Sequence, residues 1–411
     1  MKILHTSDWH LGKKLDNFSR HSEQIEVLNE IAAIVERENV DVVIVSGDLF
    51  DAFNPPVESV ELFYKTLKKM AGNGERAVIC IAGNHDSPDR IEAPDPLARE
   101  CGIIFAGNPN TKLPCFKLDT GLEIIQSEPG FLELKLPHCA DRLRLLITPY
   151  ANEYRLKAFL GTENQEEELR NLLTKKWNNL AETYCDSKGI NILISHLFFV
   201  KKGAEPPKEP DDEKPILHVG GAQAIYSENI PRQMQYAALG HLHRMQTIDS
   251  VPCPVVYCGS PLSYSFSEAN QKKFVMLMEL NPGLEATIQA IELVSGKKLL
   301  RYKAEGVQNA VDWLTNNQNC LVELTISTDN YLNATDRKLL SQVHEGIIQI
   351  IPEVKFSNAN QPENGKVINL SKGMEELFAE YFNYTKGLPP DEQLMNLFRE
   401  VLSVETDDTK L

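Results

Sequence analysis

Val42-Val43-Ile44-Val45-Ser46-Gly47-Asp48 is the stretch on which the fold turns. Four consecutive β-branched residues predict a short strand buried on both faces, as in the parallel sheets of layered α/β proteins. Gly47 lets the backbone turn sharply where the strand stops. Asp48 is then left at the carboxyl end of a strand, in a loop carried by a rigid sheet, where ligands bind in such folds. Four other segments repeat the pattern of apolar strand followed by metal-ligand residue types. Asp8-Trp9-His10 follows a strand at 2–6, Gly83-Asn84-His85-Asp86 one at 77–81, Ser195-His196 one at 190–194, and Gly240-His241-Leu242-His243 one at 236–239.

Working outward, residues 19–38 carry Ile25, Leu28, Ile31, Ala32 and Val35 at helical spacing. This predicts a crossover helix and a right-handed β-α-β opening. A second helix is expected over 57–70, after the Asn54-Pro55-Pro56 break and before Gly72-Asn73-Gly74. A third is expected from Ser87-Pro88-Asp89 to about Glu100. Short strands are expected at 103–106, 122–127, 131–136, 143–148, 236–240, 254–258 and 273–280, with a long helix over 163–187. The charged, proline-rich segment 201–215 reads as an exposed, mobile loop. At Asn281-Pro282-Gly283 the texture changes. Strand-like runs at 286–294, 321–328 and 347–356, with helical pieces between them, predict a separate small α/β domain over 281–357. A polar linker (358–371) and two amphipathic helices (within 372–411) follow. Two such helices bury little by themselves, so they either fold back on their own chain or dock on a partner.

The chain has 411 residues, enough for two or more domains. Lys plus Arg number 42 and Asp plus Glu 58, a net charge of −16. That balance argues against a broad basic surface of the usual nucleic-acid-binding kind. It leaves room for a local positive site, because bound divalent ions invert local electrostatics. Eight scattered cysteines without a CxxC pair predict reduced, buried thiols and a cytosolic compartment. Met1-Lys2-Ile3-Leu4-His5 lacks the long apolar stretch of a signal peptide. No run approaches the roughly 20 apolar residues that span a bilayer, so no membrane association is expected.

The residue types that follow the five strands suit a pair of divalent cations. Two such ions about 3.5–4 Å apart clamp the oxygens of a phosphate ester and lower the pKa of a bridging water. The pair needs one carboxylate that can bridge, for which Asp48 is the natural candidate, and several nitrogen or oxygen ligands. Asp8, His10 and one histidine of the 241/243 pair would complete one ion; Asn84, His196 and the other histidine would complete the second. A set without thiolates favours manganese, iron, zinc or magnesium. His85 is not needed as a ligand and can protonate a leaving group. Asp51 and Asp86 are candidates to orient it, with Asp51 preferred. Taken singly, Asp8 reads as a turn residue and His196 as a core histidine; their joint placement after strands makes a site of them. His5, His21, His138, His218 and His344 lack that placement and read as structural. Gly259-Ser260-Pro261 reads as a turn that could approach a phosphate through backbone N–H groups. Lys13, Lys14, Arg20, Arg90 and Arg244 lie near the motifs and are candidate phosphate contacts.

In this order, Asp8-x-His10, Gly47-Asp48, Gly83-Asn84-His85-Asp86, His196 and Gly240-His241-x-His243 resemble the calcineurin-like metallophosphoesterases. Thr6-Ser7-Asp8-Trp9-His10-Leu11-Gly12, Ser46-Gly47-Asp48-Leu49-Phe50-Asp51 and the segment from Tyr257 to Phe266 narrow the likeness to SbcD-type DNA nuclease subunits. The resemblance implies a four-layer α/β/β/α sandwich over residues 1–280, a capping domain over 281–357, two manganese ions, and hydrolysis of DNA phosphodiesters. It assigns Asp8, His10, Asp48 and His243 to the first ion and Asp48, Asn84, His196 and His241 to the second. His85 becomes the catalytic acid. It also implies a homodimer within a heterotetramer, with the helices of 372–411 holding an SbcC-like coiled-coil ATPase. The compartment it implies is the cytoplasm, and the nucleoid when the complex is on DNA. The helices at 57–70 and 88–100 are the expected homodimer contact. Archaeal and eukaryotic relatives carry a second histidine where this chain has Asp51. A direct catalytic part for that position does not carry over, and Asp51 is expected to act by orienting its neighbours. Competing expectations are a phosphoesterase for small phosphodiesters or phosphoproteins, and a scaffold with a silent site. The scaffold is disfavoured because every expected ligand is present.

Overall fold

The computed structural model describes residues 1–160, 165–204, 224–328, 332–354, 374–386 and 390–405. The expected loop from residue 205 onward, His218 and the linker at 358–371 lie outside the described residues. Residues 1–354 form one compact unit and 355–411 another.

Two large sheets form the heart of the first unit. One runs Thr287–Leu293, Lys273–Glu279, Lys2–Thr6, Val42–Val45, Ala77–Ile81, Ile103–Ala106. The other runs Gln246–Asp249, Val255–Tyr257, Tyr236–Leu239, Ile190–Ser195, Arg142–Thr148, Phe131–Lys135, Glu123–Glu128. The central strands of each sheet are parallel to one another. Alternation along Val42–Val45 sets the layers. Val42 and Ile44 point between the sheets among Ile3, Ile79, Ile192 and Ile194, whereas Val43 and Val45 point at the helices His21–Arg37 and Val57–Ala71. On the far side, Leu169, Leu173 and Trp177 of the helix Gln165–Tyr184 cover Leu146, Leu193 and Val255. These are the four layers α/β/β/α. All four residues of Val42–Val45 are fully buried, each contributing roughly 1.5–3 kcal/mol of hydrophobic stabilisation. That rigidity lets the loops at the strand ends hold unfavourable backbone conformations.

Three local expectations are corrected. The helix expected over 88–100 is two short ones, Pro88–Glu92 and Asp95–Ala98. Pro94 and Pro96 offer no N–H to continue the ladder, and their rings crowd the preceding turn. The run at 286–294 is expected in the small domain, but Thr287–Leu293 pairs antiparallel with Lys273–Glu279 and forms the edge of the first sheet. Asn281-Pro282-Gly283 therefore lies in a hairpin connection. The small α/β part begins instead at Lys298–Glu305, a strand that composition conceals because it contains no β-branched residue. This strand pairs in parallel with Cys320–Thr328, which pairs in parallel with Ile347–Val354. The helices Val307–Asn316 and Ala334–Val343 bury Leu314 and Leu340 among Val322 and Leu324 of that sheet. Leu299 and Leu321 rest on Leu15 and Phe266 of the larger part.

In the second unit the expected pair of helices forms as Met374–Lys386 and Glu392–Glu405. Phe378 stacks on Phe398 with ring centroids 4.0 Å apart. Met374 and Leu397 stay exposed. No helix among the described residues is long and apolar enough to cross a membrane. Five of the eight cysteines are buried and Cys115 is exposed; all are free thiols.

Candidate metal centre

The five motif loops leave the carboxyl ends of parallel strands in both sheets and meet. The loop after Lys2–Thr6 is zipped to the loop after Val42–Val45: Asp8 N donates to Gly47 O at 3.0 Å, His10 N to Asp48 O at 3.0 Å and Leu11 N to Leu49 O at 3.1 Å. Trp9 is fully buried, and its Nε1 donates to Thr6 Oγ1 at 3.0 Å. Asp8 and His10 are not extended but left-handed, with φ 53° and 43°; Asp48 is at 48° and His241 at 110°. Each such conformation costs on the order of 1 kcal/mol or more for a side chain with a Cβ. The sheets beneath hold this strain at four site residues. Two glycines allow the loops to approach. A Cβ on Gly83 would lie 2.1 Å from Asp48 Oδ1, and one on Gly240 would lie 2.0 Å from Ser46 O.

Asp48 stands at the centre. Its Oδ2 has His10 Nε2 at 3.5 Å on one side and His196 Nε2 at 3.3 Å on the other. Its Oδ1 accepts from His85 N at 3.0 Å. On one flank, ligand atoms of Asp8, His10 and His243 all lie within 4.8 Å of one another, and His10 Nε2 faces His243 Nε2 at 3.0 Å. On the other flank, Asn84 Oδ1 is 3.1 Å from His196 Nε2 and 3.0 Å from His241 Nδ1. Ligand atoms of Asp8, Asp48 and His196 also lie within 4.8 Å of one another, so Asp8 reaches both flanks, and the seven residues expected around the ions come together about Asp48.

The donor set fits cations. Burial lowers His10 to about 4 and His241 to about 3, so both imidazoles are neutral with lone pairs available. For His196 the effect of burial is outweighed by Asp48, which raises it to about 9. Its Nδ1 faces Ser46 O at 2.7 Å, an oxygen that can only accept, so Nδ1 carries a proton and Nε2 is turned to Asp48 and Asn84. Two carboxylates, an amide oxygen and several imidazole nitrogens aimed at one another in a buried space need positive charge between them, which a proton on His196 supplies here and a divalent ion would supply in its place.

His85 and Asp51 sit beside this group. His85 Nδ1 is 3.0 Å from the main-chain oxygen of Asp51, which again must accept. His85 thus meets the main-chain carbonyl of Asp51 and not the carboxylate expected to orient it. The Asp51 carboxylate is turned elsewhere, to Lys13 Nζ at 2.9 Å and His10 Nδ1 at 3.5 Å. Asp86 does not orient His85. It is buried and accepts from Gly83 N, Leu49 N and Phe50 N at 2.8–3.0 Å, tying two motif loops together. Burial, with the charge of Asp48, raises it to about 6.

A profile of the calcineurin-like phosphoesterases matches residues 1–244. Over its full length the chain is 37% identical to the SbcD subunit of the nuclease SbcCD from Bacillus subtilis, covering 100% of both chains. The chain belongs to the calcineurin-like phosphoesterases, on their SbcD-type nuclease branch. The SbcD subunit of Rhodobacter capsulatus is 31% identical, covering 74% of this chain and 72% of its own. That of Escherichia coli is 29% identical, covering 82% and 81%. Membership carries the enzyme class with it, a metal-dependent phosphodiester hydrolase, and the buried ligand groups supply the place for divalent metal.

Several structural supports escape a reading of the sequence. Arg155 is buried, and its guanidinium donates to Gly83 O and Asp86 O, both at 2.8 Å, bracketing Asn84 and His85. Glu268 lies 3.7 Å from His243 Nδ1 and is paired with Lys273, which also donates to His243 O at 3.0 Å. Neither Arg155 nor Glu268 lies in a quoted motif core, and their partners are distant in sequence, so no local signal marks them. Ser260, a candidate phosphate contact by sequence, is fully buried; its Oγ donates to Leu262 O at 2.8 Å and its N to His243 O at 3.1 Å. Arg20 is likewise buried, in a two-armed pair with Glu23. Both are supports for the loops rather than substrate contacts. Lys14, Arg90 and Arg244 are exposed.

Proposed function

We propose that this chain is the nuclease subunit of an SbcC–SbcD-like complex. It cleaves DNA phosphodiesters by a two-metal mechanism, as a double-strand exonuclease and a single-strand endonuclease acting on ends and hairpins. The observation that carries this reading is Asp48 Oδ2 flanked by an imidazole from each ligand group. Asp8, His10, Asp48 and His243 would hold one ion, and Asp48, Asn84, His196 and His241 the other, with manganese as the favoured metal. Bound there, the ions would polarise the phosphoryl oxygens and lower the pKa of the attacking water. His85 is the acid. Its Nδ1–H is spent on Asp51 O, so Nε2 is the atom that carries a proton to the leaving oxygen. Asp51 positions His85 through its carbonyl and His10 through its carboxylate.

The remaining parts fit a DNA-processing assembly. The small α/β part that begins at Lys298 caps the hydrolase. The exposed Phe53, Val57 and Leu97 on and beside the helices at 57–71 and 88–98 supply an apolar homodimer contact. Met374 and Leu397 on the C-terminal helices offer apolar surface to the coiled-coil ATPase, giving a heterotetramer in the cytoplasm, nucleoid-associated on DNA. A manganese-dependent assay on duplex DNA and on an aryl phosphodiester, with and without the ATPase, tests the reading. Cleavage of the aryl ester alone under every condition would favour an enzyme of small phosphodiesters or phosphoproteins.

A further inference from the structure

The turn after the strand Arg142–Thr148 is built against the metal centre at both ends. Thr148 O accepts from His196 N at 3.2 Å where the turn begins. Arg155 then grips Gly83 O and Asp86 O, on either side of Asn84 and His85. The turn is also closed on itself. Asn152 Oδ1 accepts from Arg155 N at 2.9 Å, Glu153 O from Ala158 N at 3.2 Å, and Glu153 Oε1 from Leu160 N at 2.7 Å. Leu156 and Leu160 are buried in the core beneath.

What this hydrogen-bonded turn presents outward is two aromatic rings. Tyr154 is 88% exposed and Phe159 81% exposed. Between them Lys157 is exposed and held at φ 52°. Large rings this bare lose hydrophobic stabilisation unless something covers them. A protein partner calls for a contiguous apolar patch. Ring, cation, ring in the order Tyr154, Lys157, Phe159 instead matches the alternation of base and phosphate along a single strand, where stacking is indifferent to base identity and a cation follows the backbone.

We propose that Tyr154 and Phe159 form a stacking platform for unpaired bases of a DNA strand on the turn that braces the Asn84–His85 loop, with Lys157 meeting its phosphate. The inference rests on the DNA reading above and adds that the preferred substrate presents unpaired nucleotides beside the scissile bond.

The test uses the full chain at fixed salt with manganese, and fluorescein-labelled oligothymidine and a blunt duplex of equal length, both built with phosphorothioate linkages that resist cleavage. The double variant Tyr154→Ala/Phe159→Ala is expected to lose about 10- to 100-fold in oligothymidine affinity, with a much smaller change for the duplex. Tyr154→Phe keeps the ring and is expected to bind as the wild type does. A 2-aminopurine in the strand should be quenched by the wild type and not by the double variant. Equal oligothymidine affinity for wild type and double variant overturns the platform. So does a fall in aryl phosphodiester hydrolysis that parallels the loss of affinity, since the rings would then be propping the Asn84 loop. Unchanged DNA binding with lost capture of the ATPase would make the rings a protein contact and likewise overturn it. A wild type that neither binds nor cleaves DNA would instead remove the DNA reading itself.

Discussion

At the scale of single residues, the site depends on which atom each side chain turns inward. His85 turns Nδ1 to a carbonyl, which leaves Nε2 for the proton transfer proposed above. His85→Gln should therefore lower phosphodiester cleavage about 10²- to 10⁴-fold while metal content, read by mass spectrometry, stays as in the wild type. Loss of metal in that variant would refute the acid role. Asp48→Asn should do the reverse. With one oxygen placed between both ligand groups, its loss should remove manganese binding in a calorimetric titration along with activity. Retention of the full isotherm would mean that Asp48 bridges nothing.

At the scale of elements, strained loops are held by buried polar ties. Asp86 gathers three backbone N–H groups from two loops. Asp86→Ala leaves those donors buried without their carboxylate, and should cost about 3 kcal/mol or more in a urea titration; a change within error would make the tie incidental. Glu268 acts similarly on the His243 loop. Burial alone would raise it, but Lys273 outweighs burial and lowers it from 4.5 to about 2. A depressed folded pKa gives stability that is present above 4.5 and is lost as pH falls from there toward 2. Glu268→Gln should therefore flatten the acid limb of stability in that window, as measured by denaturant midpoints from about pH 5 to about pH 2.5. An unchanged slope would place the acid sensitivity in other carboxylates.

At the scale of the whole molecule, the proposed function asks a chain of net charge −16 to bind a polyanion. The positive field must come from the bound ions, from local cations and from the ATPase partner. DNA affinity of the assembled complex should accordingly fall as salt rises, with a slope set by the phosphates neutralised; salt-independent affinity would leave this account without support. The helices Met374–Lys386 and Glu392–Glu405 lie in the second compact unit. Removing residues 372–411 should abolish co-purification with the ATPase yet leave aryl phosphodiester hydrolysis within about twofold; retained capture would assign that contact elsewhere.

The central strands, the two crossover helices, the C-terminal pair and the seven candidate ligand residues are legible in the sequence because each is written locally. Period-2 burial, 3.6-residue spacing and side-chain type immediately after a strand need no knowledge of distant chain. What only the tertiary structure decided was relational. The edge strand Thr287–Leu293 belongs to the first sheet because Lys273–Glu279 offers it a ladder, not because of its own composition. Asp51 reaches His85 through a carbonyl that every residue possesses, and Arg155 and Glu268 brace loops far from them in sequence. Side-chain identity is encoded residue by residue; main-chain hydrogen bonds and contacts between distant segments exist only once the sheets have closed on one another.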